Sequence, residues 1–162
     1  MTDAGIGWAD FGDQTFLDLV DLHLDAMREH SPPDSVHALG AAGLAVDGTS
    51  TFVVAIDRCV VSMGALRALG DRTFEIKSMR THPDHLGRGF GRRMLEHLIS
   101  EAQAQSALRL SLETGSGPAF EPAIALYRSR GFVPGPAFGG YEATAFNQFF
   151  HLELTTDKET PA

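Results

Sequence analysis

Apolar residues at Phe16, Leu17, Val20, Leu24 and Met27 recur at the spacing of a helix with one buried face, which predicts a helix over 17–30. Ser31-Pro32-Pro33 ends it, because proline cannot continue the hydrogen-bond ladder and restricts the residue before it. Asp34 or Ser35 can cap a second helix running to Leu44, a prediction that Gly40 and Gly43 weaken. The pattern then shortens. Residues 51–56 and 59–69 read as strands joined by a tight turn at Asp57-Arg58, and Gly70-Asp71-Arg72 leads into a third strand over 73–81, closed by Pro83. Connections this short permit only antiparallel pairing. After a glycine-rich loop over 87–91, Phe90, Met94, Leu95, Leu98, Ile99 and Ala102 form the buried stripe of a long helix. Residues 108–112 alternate as a strand and 118–130 read as a helix, with Gly131 as its C-terminal cap and Phe132 opening an extended segment. An aromatic-rich strand over 146–154 follows, and the polar stretch 155–162 is expected to fray.

This order predicts an α/β fold, a mixed and mainly antiparallel central sheet flanked by helices. A strand–helix–strand unit over 73–112 sits at its centre and is expected to cross over with the right hand. A chain of 162 residues supports one sizeable core, so 1–155 is expected to form a single domain and 156–162 a flexible tail.

Composition narrows the class. The chain is 43% hydrophobic and 21% charged, as soluble globular proteins are, and no run approaches the roughly 18 apolar residues of a membrane helix. Residues 1–9 carry Asp3 and no Lys or Arg, unlike a secretory signal, so a cytoplasmic location is expected. The single cysteine, Cys59, excludes an intramolecular disulfide and lies in an apolar run, which predicts a small buried residue. His30, His37, His82 and His85 lack the spacing and company of metal ligands, so no metal is expected. The formal charge of −8 argues against nucleic acid as a partner. Arg80, Arg88, Arg92 and Arg93 nonetheless cluster, which suits a small polyanion.

The chemistry concentrates in residues 75–94. Gly87, Gly89 and Gly91 let the backbone take positive φ and approach a ligand closely. They open a helix whose first N–H groups have no internal partner and whose dipole favours an anion. Together with the arginines this is a pyrophosphate site. The phosphate-binding P-loop is excluded, since no Gly-Lys-Ser/Thr follows. The dinucleotide fingerprint fails because Arg92 stands at the third glycine and antiparallel strands precede the loop.

Leu86-Gly87-Arg88-Gly89-Phe90-Gly91 resembles the acetyl-CoA motif of the GNAT family of N-acetyltransferases, Gln/Arg-x-x-Gly-x-Gly/Ala after a bulged strand, with Leu86 departing from it. Residues 123–132, Ala-Ile-Ala-Leu-Tyr-Arg-Ser-Arg-Gly-Phe, are similar to the family's helix-to-strand tail, although Phe120 replaces a common Asn. Ser31-Pro-Pro-Asp-Ser-Val-His-Ala-Leu39 resembles a segment of a small bacterial subgroup. The resemblance implies a GNAT-like fold and acetyl transfer from acetyl-CoA, as cosubstrate, to an amine of a small molecule or peptide by direct attack in a ternary complex. It implies that Met79, Arg80 and Thr81 bulge and pair with the pantetheine arm, while Leu86, Gly87, Arg88, Gly89, Phe90, Gly91 and Arg92 hold the pyrophosphate. Glu75 is the first candidate for a base and Glu113 the second, Tyr127 matches the acid position, and Ser35, His37 and Tyr141 are expected at the acceptor. The plainer readings are that Glu75 pairs with a nearby Lys or Arg, Tyr127 packs half into the core, Ser35 caps a helix and His37 is a surface residue. The alternative function is a non-catalytic acyl-CoA-binding or sensor module, against which the presence of both Glu75 and Tyr127 speaks. Phe146, Phe149 and Phe150 suit either a core or a dimer seam, leaving monomer and homodimer open.

Overall fold

In the computed structural model, which describes residues 5–154, the chain opens with a short strand, Ile6–Trp8 (β1), and a helix, Gln14–His30 (α1). Asp13 caps α1, accepting from the Thr15 N–H at 2.9 Å. A four-residue helix, Ala41–Leu44 (α2), then precedes three long strands: Thr49–Ile56 (β2), Cys59–Gly70 (β3) and Thr73–Thr81 (β4). Both connecting turns are left-handed at two successive residues, Asp57-Arg58 (φ 50° and 65°) and Asp71-Arg72 (φ 54° and 60°). That geometry matches the twist of a hairpin and fixes antiparallel register. Phe90–Ala104 (α3), Arg109–Thr114 (β5), Glu121–Ser129 (α4), Val133–Pro134 (β6) and Gln148–Glu153 (β7) complete the described chain.

The strands form one sheet in the order β1-β2-β3-β4-β5-β7-β6, in which β4 and β5 alone run parallel. The fold is therefore the mixed, mainly antiparallel α/β arrangement expected. Successive strand residues point to opposite faces, so β2 sends Phe52 and Val54 to one core and Val53 to the other. Phe16, Leu19 and Val20 of α1 cover one face with Leu44. The α3 stripe covers the opposite face with Ile124 and Tyr127 of α4. Gly131 (φ 106°) ends α4 as expected: its N–H reaches the Arg128 carbonyl at 3.0 Å, and the Phe132 N–H reaches that of Tyr127 at 3.1 Å.

Three expectations are corrected. Residues 34–44 are not one helix but a single turn, Pro33–Ser35, an extended strap over 36–40, and α2. Glycine costs a helix about 1 kcal/mol against alanine, and neither Ser35 nor Asp34 caps one here. Cys59 is exposed rather than buried, because it is the first residue after the β2–β3 turn. β1, too short to show an alternating pattern, was not foreseen. The expected frayed segment 155–162 lies outside the described residues.

Candidate active site

β4 and β5 pair only at Thr73–Arg109, Phe74–Leu110 and Glu75–Ser111, and beyond these residues they part. On its other side β4 pairs with β3, where Met63 faces Arg80 and Ala65 faces Lys77. Gly64 thus opposes two residues, Ser78 and Met79, and Ser78 takes φ 56°. This is a β-bulge, one residue earlier than the expected start at Met79. A Cβ on Gly64 would lie 2.8 Å from Met94 Cγ, so glycine lets α3 sit directly against the bulged pair.

The parted strands open a cavity of about 830 Å³. Its walls include Lys77, Ser78, Met79 and Arg80 from β4, Glu113 from β5, Tyr127 from α4, Ser35 from the turn and His37 from the strap. A second cavity, of about 640 Å³, lies beside Tyr141, Arg67, Asp34 and Glu142. Ser35, His37 and Glu75 line both.

Past Thr81 the chain turns through Pro83–His85 into the glycine loop. Gly87 and Gly89 are left-handed, at φ 77° and 83°, and Gly89 is the N-cap of α3 without any side-chain cap. The first helical bond is Arg93 N–H to Gly89 O, which leaves the Phe90, Gly91 and Arg92 N–H groups without helical partners. Leu86 is 65% exposed, so its side chain is turned mainly to solvent. Arg92 reaches Ser129 at 3.1 Å and Arg88 lies 3.4 Å from His85. Residues 86–92 stand beyond the end of the large cavity, not in its wall. An acyl-CoA fits these residues: free N–H groups and arginines for phosphate, an open β4 edge, and Ser78 Oγ buried without a partner among the described residues.

Two hydrogen-bonded groups meet where the cavities adjoin, the His37 ring of one lying 5.2 Å from the Tyr141 ring of the other. Glu75 is 2% exposed, and its Oε2 accepts from the Tyr141 hydroxyl at 2.6 Å and from Lys77 Nζ at 3.3 Å. Lys77 also donates to the Tyr141 oxygen at 2.7 Å. Glu75 therefore has the lysine partner that the plainer reading gave it. Burial, then the bond and charge of Glu75, push the Tyr141 hydroxyl well above the usual tyrosine range. In the second group, His37 Nδ1 lies 2.8 Å from both oxygens of Glu113, and Asn147 Nδ2 donates to Glu113 at 3.0 Å. Ser35 caps no helix.

Tyr127 is 7% exposed, and burial raises its hydroxyl to about 12 against a weaker lowering by Arg80. Arg80 turns its side chain to α1, donating from Nε to His23 Nδ1 at 2.9 Å. His23 falls to about 3 through burial first, then the charges of Arg80 and Lys77. His23, Lys77 and Asn147 are site residues that sequence reasoning did not single out. Nothing in a periodic pattern marks a histidine on an amphipathic helix as a partner for a strand arginine.

A bulged strand parting from its parallel neighbour, with a glycine loop and an uncapped helix at its end, defines a class of acyl-CoA-binding α/β proteins. The sequence profile of the acetyltransferase (GNAT) family matches residues 16–132, and the chain belongs to that family of acyl-CoA N-acyltransferases. It is 42% identical over 125 residues to the uncharacterized N-acetyltransferase YsnE of Bacillus subtilis, covering 77% of this chain and 83% of that one. It is 36% identical over 143 residues to the uncharacterized N-acetyltransferase YedL of Escherichia coli, covering 88% and 90%. The crystal structure of the ribosomal-protein-S18-alanine N-acetyltransferase from Escherichia coli shares the fold, with a TM-score of 0.70 at 20% identity over 99% of each chain. The chain is thus an enzyme of a family that uses acetyl-CoA as cosubstrate.

Proposed function

We propose that this enzyme moves an acetyl group from acetyl-CoA to an amine of a small molecule or peptide, by direct attack with both substrates bound. The observation that carries this reading is the open β4 edge, which runs from Glu75 past the bulge to the uncapped N-terminus of α3. Acetyl-CoA supplies an activated acyl carbon as a thioester. The chain's own residues do the rest. Main-chain groups of Leu86, Gly87, Gly89, Phe90 and Gly91 and the Arg88 and Arg92 side chains bind pyrophosphate. Met79, Arg80 and Thr81 take the pantetheine arm as an added strand, and the bulge aims an N–H at the acyl oxygen. Tyr127, held neutral by burial, gives a proton to the leaving sulfur. The second cavity, with Asp34, Glu75 and Glu142 against Arg67, receives the acceptor beside Ser35, His37 and Tyr141. Its acidic excess favours a cationic amine. Residues 1–155 act as one unit, as monomer or homodimer.

Calorimetric titration with acetyl-CoA, with NADH as control, tests the donor. Binding of acetyl-CoA alone is expected. A panel of a polyamine, free α-amino acids and a tripeptide with a free N-terminus, read by thiol release, then tests the acceptor. Intersecting double-reciprocal plots are expected, and parallel ones would overturn direct attack. No acetyl-CoA binding would overturn the whole reading.

A further inference from the structure

We propose that His37 is the general base of the transfer and Glu113 its positioning residue, an inference that rests on the acetyl-transfer reading above. His37 stands where the two cavities meet, the place at which an amine in one would encounter an acyl group in the other. Its Nδ1 is 2.8 Å from both Glu113 oxygens. A carboxylate has no proton to offer, so Nδ1 carries the hydrogen and donates it, and in the neutral ring the lone pair is left on Nε2. No described residue bonds that Nε2, and the side chain is 35% exposed. Glu113 is itself fixed. Asn147 donates to it at 3.0 Å, while the Asn147 side chain also donates to the Glu142 carbonyl at 2.8 Å and accepts from Thr144 N–H at 2.7 Å.

Glu75 offers the contrary geometry. It is 2% exposed, and both Tyr141 and Lys77 occupy its Oε2, so its carboxylate is the fixed counter-charge of the acceptor cavity. The groups that share a cavity with His37 are Glu113 on β5, the Tyr141 ring at 5.2 Å between centroids, Asp34, Arg67, Glu75 and Glu142 around the second cavity, and His23, His30, Lys77, Arg80 and Tyr127 around the first.

In the step, the amine nitrogen forms the C–N bond as the C–S bond breaks and its electron pair goes to sulfur. The amine proton passes to His37 Nε2 and sulfur takes the Tyr127 proton. The imidazolium, stabilised by Glu113, then returns its proton through solvent to the tyrosinate. The amine reacts as its free base, the ammonium proton having gone to solvent beforehand; counted from that neutral amine, amide and free thiol result with no net gain or loss of protons.

The test uses His37→Ala, His37→Gln and Glu113→Gln in the full chain, with the best amine of the panel as acceptor. His37→Ala is expected to lower kcat about 100-fold or more, as loss of a general base does, with acetyl-CoA affinity by calorimetry within twofold. Added imidazole should restore at least tenfold of that loss. His37→Gln should show the loss without the imidazole rescue, because its side chain fills the space. Glu113→Gln should lower kcat less, and the nitrogen NMR signals of His37 should move from the Nδ1–H tautomer. An active wild type whose His37→Ala variant stays within threefold, or loses activity through KM alone, overturns this inference and leaves the transfer reading standing. A wild type that binds no acetyl-CoA or acetylates no amine overturns both.

Discussion

His23 is 6% exposed on α1 and accepts a hydrogen bond from Arg80, so a proton on it would sit beside a guanidinium without water. Its pKa is lowered from 6.5 to about 3, and the folded state therefore binds this proton less readily than the unfolded one. Its contribution to stability is fully present above pH 6.5 and is lost as pH falls towards 3. Urea unfolding at pH 7 and pH 5 should show a loss of about 2 kcal/mol from this group, and His23→Gln should flatten that dependence. Tyr127→Phe belongs to the same scale. It should lower kcat by about 10- to 100-fold at unchanged acetyl-CoA affinity, and equal turnover would remove Tyr127 from the acid role. Glu75, Glu113, Tyr127, His37 and Tyr141 were all legible as chemistry-bearing side chains. Their partners were not, because Glu75 bonds a tyrosine 66 positions away and His37 a glutamate 76 positions away. Spacing within a segment carries no record of such pairs.

At the scale of elements, the α3 stripe followed the helical period residue for residue, since one face of that helix meets the sheet along its whole length. The strap over 36–40 escaped the same reasoning. Pro32-Pro33 before it and Gly40 at its end disfavour a helix, and His37 ties it to Glu113 of a distant strand, so local propensity had little to say. Gly64 shows how closely two elements approach. Gly64→Ala puts a carbon against Met94 Cγ and should destabilise the fold by about 1–3 kcal/mol in denaturant titration. Adding Met94→Ala should give less than the sum of the two single losses, as expected for residues sharing one space. Gly89→Ala strains a left-handed N-cap at φ 83° without meeting any atom. It should weaken acetyl-CoA binding about tenfold or more while the far-ultraviolet spectrum stays that of wild type.

For the whole molecule, a ligand that spans the β4 edge, left open beyond Glu75, and the α3 N-terminus binds a site assembled only in the folded chain. Acetyl-CoA at 100 times its dissociation constant should raise the unfolding free energy by about 2.7 kcal/mol, measured as a shift in midpoint, and NADH should not. The sequence by itself determined α1, the order of elements from β2 onward, the antiparallel meander and the glycine loop, because periodicity, turn residues and glycine's positive φ act over neighbouring positions. It also pointed to the family through residues 86–91 and 123–132. Only the tertiary structure decided that β7 lies between β5 and β6, where β5 and β4 separate, and which carboxylate meets a lysine and which a histidine. Those outcomes depend on how a twisted sheet and two helical layers bring remote segments within 3 Å or so, a distance that hydrogen bonds require and sequence separation does not encode.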